Sequence, residues 1–483
     1  VTEVVQVPAG RLEGLRRGDV RQWLGVPYAA PPVGERRFRA PEPVPAWEGT
    51  RAATRVGAAA SQTGSITAPV RSLGEVGEDC LYLNVYAPAR PAPPRPVLVW
   101  IHGGAFTGGS GALYDGTGLA ELGDLVVVTI NYRLGVFGFA DLGAVTDADI
   151  PSNLGLRDQI AALTWVRDSI EAFGGDPERV TVAGESAGSI SLAMLLCAPA
   201  TQGLFRGAIL QSGSYNLAHG PQVKLEVAHR YAAELRLGTG AGARLRDLPA
   251  AELLAAQTAV SRAVAGATPA APWFDDDLLP ATAAEARATT RPEVALLAGR
   301  TRDEVSMFQL LPGDVMPTTR SAIATRLRED LGDERADAIL AAYPATPPGV
   351  RALGTDLNFA LPTQGFADRH RDAGGSTHFY RFDAAVPVFG ATHASELAYL
   401  WDWSGSAAFL IRGRRTVARE RLQQRLRRHW VAFVRDLEPG PGWPAFGAGR
   451  ATMVFDPSGD HVDDDPAHDR RIAWAGAEVS ARA

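Results

Sequence analysis

Gly184-Glu185-Ser186-Ala187-Gly188 is the segment of this 483-residue chain with the most chemistry in it. A serine between glycines can sit on a sharp turn, because the flanking residues carry no Cβ to obstruct the backbone. Where a strand runs directly into a helix, G-x-S-x-G lifts the hydroxyl clear of the sheet. The helix N-terminus then favours negative charge that develops beside it. The pentapeptide alone also fits an ordinary glycine-rich turn, so its surroundings must decide.

A serine hydroxyl is a weak nucleophile until a base takes its proton and an acid orients that base. Nine histidines are available: His102, His219, His229, His370, His378, His393, His429, His461 and His468. His393 stands apart because it lies in Gly390-Ala391-Thr392-His393-Ala394-Ser395-Glu396-Leu397, a run of small residues just before an expected helix. Asp303-Glu304 follows the apolar run Val294–Ala298, at the strand end where α/β folds place functional loops. Residue types and spacing leave Asp303 and Glu304 equally eligible as the acid. His102-Gly103-Gly104-Ala105-Phe106 follows another apolar run, and its small residues let backbone N–H groups converge on one point. With the N–H of Ala187, those of Gly104 and Ala105 would make three donors for an oxyanion.

The elements that must hold these residues are legible as apolar runs. Val97–Ile101, Leu125–Ile130, Val180–Ala183, Ala208–Leu210 and Val294–Ala298 read as buried strands. Leu156 to Phe173 repeats Ile160, Leu163, Val166 and Ile170 at helical spacing, and Ile190 to Leu196 also reads as helix. Ala322–Tyr343 and Thr416–Asp436 read as amphipathic helices, the second with Leu422, Leu426, Trp430 and Phe433 on one face. Pro91–Pro96 and Pro344–Pro348 read as surface turns. Strands alternating with helices predict an α/β fold with a mostly parallel central sheet covered on both faces.

Composition narrows the chemistry. Lys and Arg total 48 against 54 Asp and Glu, a net charge of −6 with no basic run, which argues against a nucleic-acid partner. Lys224 is the only lysine, which excludes most Ser-Lys, Schiff-base and Walker-type mechanisms. Cys80 and Cys197 are too few for a structural zinc site. No metal or cofactor is expected. No apolar run approaches the roughly 18 residues of a membrane span, and the first residues lack a signal-peptide pattern. The expectation is a cytoplasmic protein, monomeric or weakly homo-oligomeric, with secretion as the alternative if the N-terminus is processed.

The motifs together resemble the type-B carboxylesterase and cholinesterase family of α/β-hydrolases. The resemblance runs through Gly25-Val26-Pro27-Tyr28-Ala29-Ala30-Pro31-Pro32-Val33-Gly34 and Glu78-Asp79-Cys80-Leu81-Tyr82-Leu83-Asn84-Val85-Tyr86. It continues through Asn131-Tyr132-Arg133-Leu134-Gly135, Phe173-Gly174-Gly175-Asp176-Pro177 up to Gly188, Gln211-Ser212-Gly213 and Trp443-Pro444. It implies one α/β-hydrolase domain over residues 1–483, with helical insertions mainly in 220–440 that form a gorge. It also implies a serine carboxylester hydrolase with Ser186 as nucleophile, His393 as base and Glu304 as acid. Glu304 is preferred to Asp303 because the family's acid is the Glu of an Asp-Glu-Gly step; Val305 replaces that Gly here. Gly104, Ala105 and Ala187 take the oxyanion role, with Glu185 and Ser212 as supporting residues.

Two departures from the family pattern matter. The region that pairs with Cys80 in secreted animal members reads Ala58-Ala59-Ala60-Ser61-Gln62, so that disulfide is missing and Cys80 is expected to be a small buried hydrophobe. No aromatic residue lies between Ala60 and Cys80, so the cation–π site for choline esters is missing too. With the Arg and Ala bias, this points to a bacterial-type enzyme. Its expected substrate is a small, moderately hydrophobic ester, held near Trp273, Phe274, Phe308 and Phe389. The alternatives are carbamate or aryl-amide hydrolysis by the same three residues, or a non-catalytic adhesion-type homologue.

Overall fold

Alternation inside the apolar runs decides the architecture. A computed structural model of the chain describes residues 2–63, 73–215, 218–238, 241–264, 269–275, 277–310, 316–403 and 416–477. Its strands are β1 (Thr2–Val7), β2 (Gly10–Arg17), β3 (Val20–Pro27), β4 (Thr50–Ala52), β5 (Ala59–Ala60), β6 (Val76–Gly77), β7 (Tyr82–Pro88) and β8 (Arg95–Ile101). They continue as β9 (Val126–Ile130), β10 (Gly175–Glu185), β11 (Gly207–Gln211), β12 (Ala295–Thr301), β13 (Thr377–Phe382), β14 (Ala451–Phe455) and β15 (His461–Asp464). Among the described residues, thirteen strands form one sheet in the order β1-β2-β3-β7-β9-β8-β10-β11-β12-β13-β14-β15, with β4 beside β2. The block from β9 to β14 is parallel, and both margins are antiparallel.

In β8, Val97, Val99 and Ile101 join one hydrophobic cluster, while Leu98 and Trp100 join another. Successive side chains point to opposite faces of a strand, so an unbroken apolar run is buried on both sides. The helices Leu154–Ser169, Ala187–Leu195 and Leu361–Asp372 contribute to the first cluster. Thr117–Gly123 and Val417–Asp436 cover the opposite face, the latter through Leu422, Leu426, Trp430 and Phe433 as its spacing predicts. The parallel, doubly covered sheet expected from sequence is therefore present.

Three expectations need correction. The single helix expected over Ala322–Tyr343 is two, Arg320–Leu331 and Asp333–Ala341, broken where Gly332 takes φ +79°. Pro96 lies inside β8 beside an irregularity in its register with β10, where a missing N–H is tolerated. Pro347 and Pro348 open the helix Pro347–Thr355 behind the Thr346 cap, positions whose N–H groups have no intrahelical partner anyway.

The loop after β9 is fixed to the helix Leu154–Ser169 by a buried ion pair. Arg133 donates from Nε to Asp158 Oδ2 at 2.8 Å and from Nη2 to Oδ1 at 2.6 Å, and the Arg133 backbone N–H reaches Oδ2 at 3.0 Å. Removing one partner strands the other charge in a low-dielectric interior, which costs about 3–5 kcal/mol. Asp158→Ala is expected to destabilise the fold by that order in denaturant melts. A loss below about 1 kcal/mol would mean that water reaches Arg133.

Candidate active site

The parallel block aligns four strand ends on one edge, and each carries a residue singled out from sequence. β10 ends at Glu185, and Ser186 follows with φ +53° and ψ −121°, a conformation an L-residue adopts only under constraint. The constraint is visible on both sides. The Ser186 N–H donates to Gln211 O, at the end of the neighbouring β11, at 2.9 Å, and the helix Ala187–Leu195 starts at the next residue. A Cβ on Gly188 would lie 2.1 Å from Ile101 O, so the turn packs directly on the end of β8. Gly103 is equally confined: its Cβ would meet Glu185 O at 2.6 Å and Ser186 Cβ at 3.1 Å. The Gly-rich loop after β8 thus lies against the serine turn.

Glu304 stands in a single 3₁₀ turn just past β12, and His393 in the loop between β13 and the short helix Leu397–Leu400. Both are buried. The imidazole Nδ1 is 2.6 Å from Glu304 Oε2. The other oxygen of Glu304 accepts from Ser212 Oγ at 2.7 Å and from the Thr301 N–H at 2.7 Å. All of this fixes the carboxylate and makes Nδ1 the protonated nitrogen. It also distinguishes Glu304 from Asp303, which binds the Ala391 N–H and faces Arg302. His393 Nε2 turns towards the serine turn, 3.1 Å from Glu185 Oε1, with no hydrogen-bond partner among the described residues.

Four ionisable groups share this buried volume. Burial pushes the Glu185 carboxyl well above the usual carboxylate range, although His393 opposes the shift. Glu396, one helical turn beyond His393, is raised too, first by burial and then by the charge of Glu304. It accepts long contacts from Gln211 and Tyr380 at 3.3 and 3.4 Å. Burial alone would lower the pKa of His393, but the carboxylates of Glu185 and Glu304 outweigh it and hold the imidazole above its ordinary 6.5. The carboxylates therefore stabilise the imidazolium that forms when Nε2 takes up a proton.

On the opposite side are the expected donors. Gly104 has φ +120° and Ala105 φ +53°, so their N–H groups leave the regular strand direction. Among the described residues, the N–H groups of Gly104, Ala105 and Ala187 donate to no backbone carbonyl. Such groups at a helix start and a glycine turn suit an anionic oxygen.

The four aromatic residues chosen from sequence separate. Phe308 lies against His393, with ring centroids 5.2 Å apart. Phe359, which sequence reasoning missed, is closer at 4.7 Å and stacks on Phe308. Its only sequence signal is an apolar residue in a helical run. Trp273 and Phe274 are buried in the larger core cluster, and the carbonyl of Phe389 accepts a hydrogen bond from Ser306. His102 is buried and stacks on Tyr132, its pKa pushed down to about 4 by desolvation against a bond to Gly103 O. Cys80 and Cys197 are buried free thiols. Part of the loop read as lacking a choline-binding aromatic, residues 64–72, lies outside the described residues.

Fold and site together define an α/β hydrolase. Residues 1–457 match the family model described as "Carboxylesterase family". The chain is 36% identical to para-nitrobenzyl esterase of Bacillus subtilis, covering 97% of this chain and 98% of that protein. It is 34% identical to fumonisin B1 esterase of Sphingopyxis macrogoltabida over 92% and 85% of the two. Among solved structures, a PNB esterase superposes with a TM-score of 0.88 at 34% identity, covering 98% of this chain and 99% of that one. The carboxylesterase EST55 of Geobacillus stearothermophilus superposes with 0.85 at 37% identity, covering 98% and 99%. The chain belongs to the carboxylesterase family and is a serine carboxylester hydrolase, which removes the adhesion alternative.

The buried carboxylates predict a pH signature. Because His393 is raised in the folded chain, its protonated form contributes stability below about pH 6.5 that is lost as pH rises through the folded value. Glu185→Gln deletes one of the three carboxylates favouring the imidazolium. The acidic limb of the pH profile of kcat/KM for a p-nitrophenyl ester should move to lower pH by about one unit. An unmoved limb would mean that Glu185 does not act on this imidazole.

Proposed function

We propose that Ser186 is the nucleophile, His393 the base and Glu304 the orienting acid of a two-step ester hydrolysis. The observation that carries the reading is the 2.6 Å contact from His393 Nδ1 to Glu304, which leaves Nε2 facing the serine turn. Nε2 takes the Ser186 proton as Oγ attacks the ester carbonyl, the hydrogen bond between them forming as substrate enters. The N–H groups of Gly104, Ala105 and Ala187 hold the oxyanion. The imidazolium, stabilised by Glu304 and Glu185, then gives its proton to the leaving alcohol. Water hydrolyses the acyl-enzyme with the same roles repeated. Ser212 keeps Glu304 from rotating away from the ring.

The substrate class is an uncharged, moderately hydrophobic ester. Its support is the aromatic wall of Phe308 and Phe359 beside the imidazole, where a charged acyl group would lose its hydration. We further infer one catalytic domain over 1–483, with its insertions mainly in 220–440 shaping a gorge. It acts without a nucleic-acid partner, as a cytoplasmic monomer or weak homo-oligomer. Two buried free thiols and the net charge of −6 support this setting.

A p-nitrophenyl ester series of increasing acyl length tests the reading, with an aryl carbamate and an aryl amide as added arms. Ester turnover and a loss of more than about a thousandfold in kcat for Ser186→Ala are expected. Full activity in Ser186→Ala would overturn the nucleophile assignment. Faster turnover of the carbamate or amide would overturn the ester preference. Elution as a single species of about monomer mass is expected in size-exclusion chromatography.

A further inference from the structure

The imidazole of His393 is flanked by the rings of Phe308 and Phe359, with centroids 5.2 and 4.7 Å away. Phe359 lies in a π-helical turn, Asp356–Ala360, set between the helices Pro347–Thr355 and Leu361–Asp372. A π turn inserts an extra residue into the helical ladder, which costs stability and persists where neighbours impose it. The first residue of the turn, Asp356, is almost wholly buried. Its Oδ2 accepts from Arg470 Nε at 2.7 Å and from Tyr343 OH at 2.7 Å. Tyr343 OH in turn accepts from Trp474 Nε1 at 2.7 Å. Buried Arg300 on β12 feels the charges of both Asp356 and Glu304. Asp356 Oδ1 is buried with no hydrogen-bond partner among the described residues, so Arg470 is its principal counter-charge from outside the sheet.

Arg470 and Trp474 belong to the helix His468–Ala473 and the residue after it. This segment docks on the helices Arg320–Leu331 and Asp333–Ala341: Trp474 packs in their cluster, and Arg335 donates to Ala475 O. It lies beyond residue 457, outside the stretch that the family model matches.

We propose that this C-terminal helix is a positioning element of the active site. Arg470, through Asp356 and the π turn, holds Phe359 against the face of His393. Asp356, Arg470 and Trp474 act through the imidazole and do not touch substrate, and the proposal rests on His393 being the base. The imidazole is also faced by Glu304, Glu185 and Glu396, none of which this contact changes. The ring face of Phe359 favours the protonated imidazole as an aromatic face favours any cation. Loosening the turn therefore costs both alignment and this stabilisation.

The experiment compares full-length wild type, Arg470→Gln, Phe359→Leu and the double variant on p-nitrophenyl butyrate. Arg470→Gln should lower kcat about tenfold with KM nearly unchanged, because the base is misaligned and not the binding surface; Phe359→Leu should lower kcat by a similar factor and also raise KM, because its ring belongs to the aromatic wall. Each should also move the acidic limb of the pH profile down by about half a unit. The double variant should match the singles, since both substitutions break one coupling. Arg470→Lys, which keeps the cation, should recover most of kcat. Wild-type kcat and an unmoved limb in folded Arg470→Gln would overturn the proposal, as would single effects that multiply in the double variant. If Arg470→Gln does not fold, Trp474→Phe, which deletes the donor to Tyr343 and trims the buried ring beside it, is read by the same criteria. Activity surviving in His393→Ala would instead overturn the base assignment, leaving a different signature from failure of the clasp alone.

Discussion

The strained backbone at Ser186 is the constraint on which the rest of the site depends. Its φ of +53° and ψ of −121° are tolerable only while β10, β11, β8 and the helix Ala187–Leu195 hold it from four directions. Those same neighbours set the remaining geometry. The close approach of Gly188 to the end of β8 brings the Gly103–Ala105 loop against the serine, and parallel register carries Glu304 and His393 to the same edge. A strained turn costs of order 1–3 kcal/mol, a small fraction of what the doubly covered sheet contributes.

Charge is the second organising term. Three buried glutamates, Glu185, Glu304 and Glu396, surround one imidazole. Burial raises the carboxyl pKa values of Glu185 and Glu396, and the surrounding carboxylates outweigh burial to raise that of His393, so the same charges that crowd the site stabilise an imidazolium once it forms. Glu304 is the best-solvated of the three by protein groups, with Ser212 and the Thr301 N–H both donating to it.

What the sequence revealed follows from what is local. Val97–Ile101 and Val180–Ala183 announce buried parallel strands because both faces are apolar, and G-x-S-x-G announces its turn because glycine has few substitutes there. The antiparallel margin β1–β3 escaped notice although its burial alternates, since short alternations with mixed polar residues resemble loop. The break at Gly332 was hidden by helix-forming neighbours on both sides. Choosing Glu304 over Asp303 needed family resemblance, because adjacent acids differ only in which way the turn points them. Phe359 was out of reach for the same reason: a π turn has no compositional mark, and Asp356 and Arg470 meet across more than a hundred residues.

The same parallel register has a consequence in time. The oxyanion loop and the serine turn are complete early in synthesis, but His393 emerges roughly two hundred residues after Ser186, and β14 later still. Domains fold as units during synthesis, and contacts of such long separation form late. A nascent chain thus carries Ser186 well before Glu304 and His393, so the three side chains meet only after β12 and β13 have been laid down.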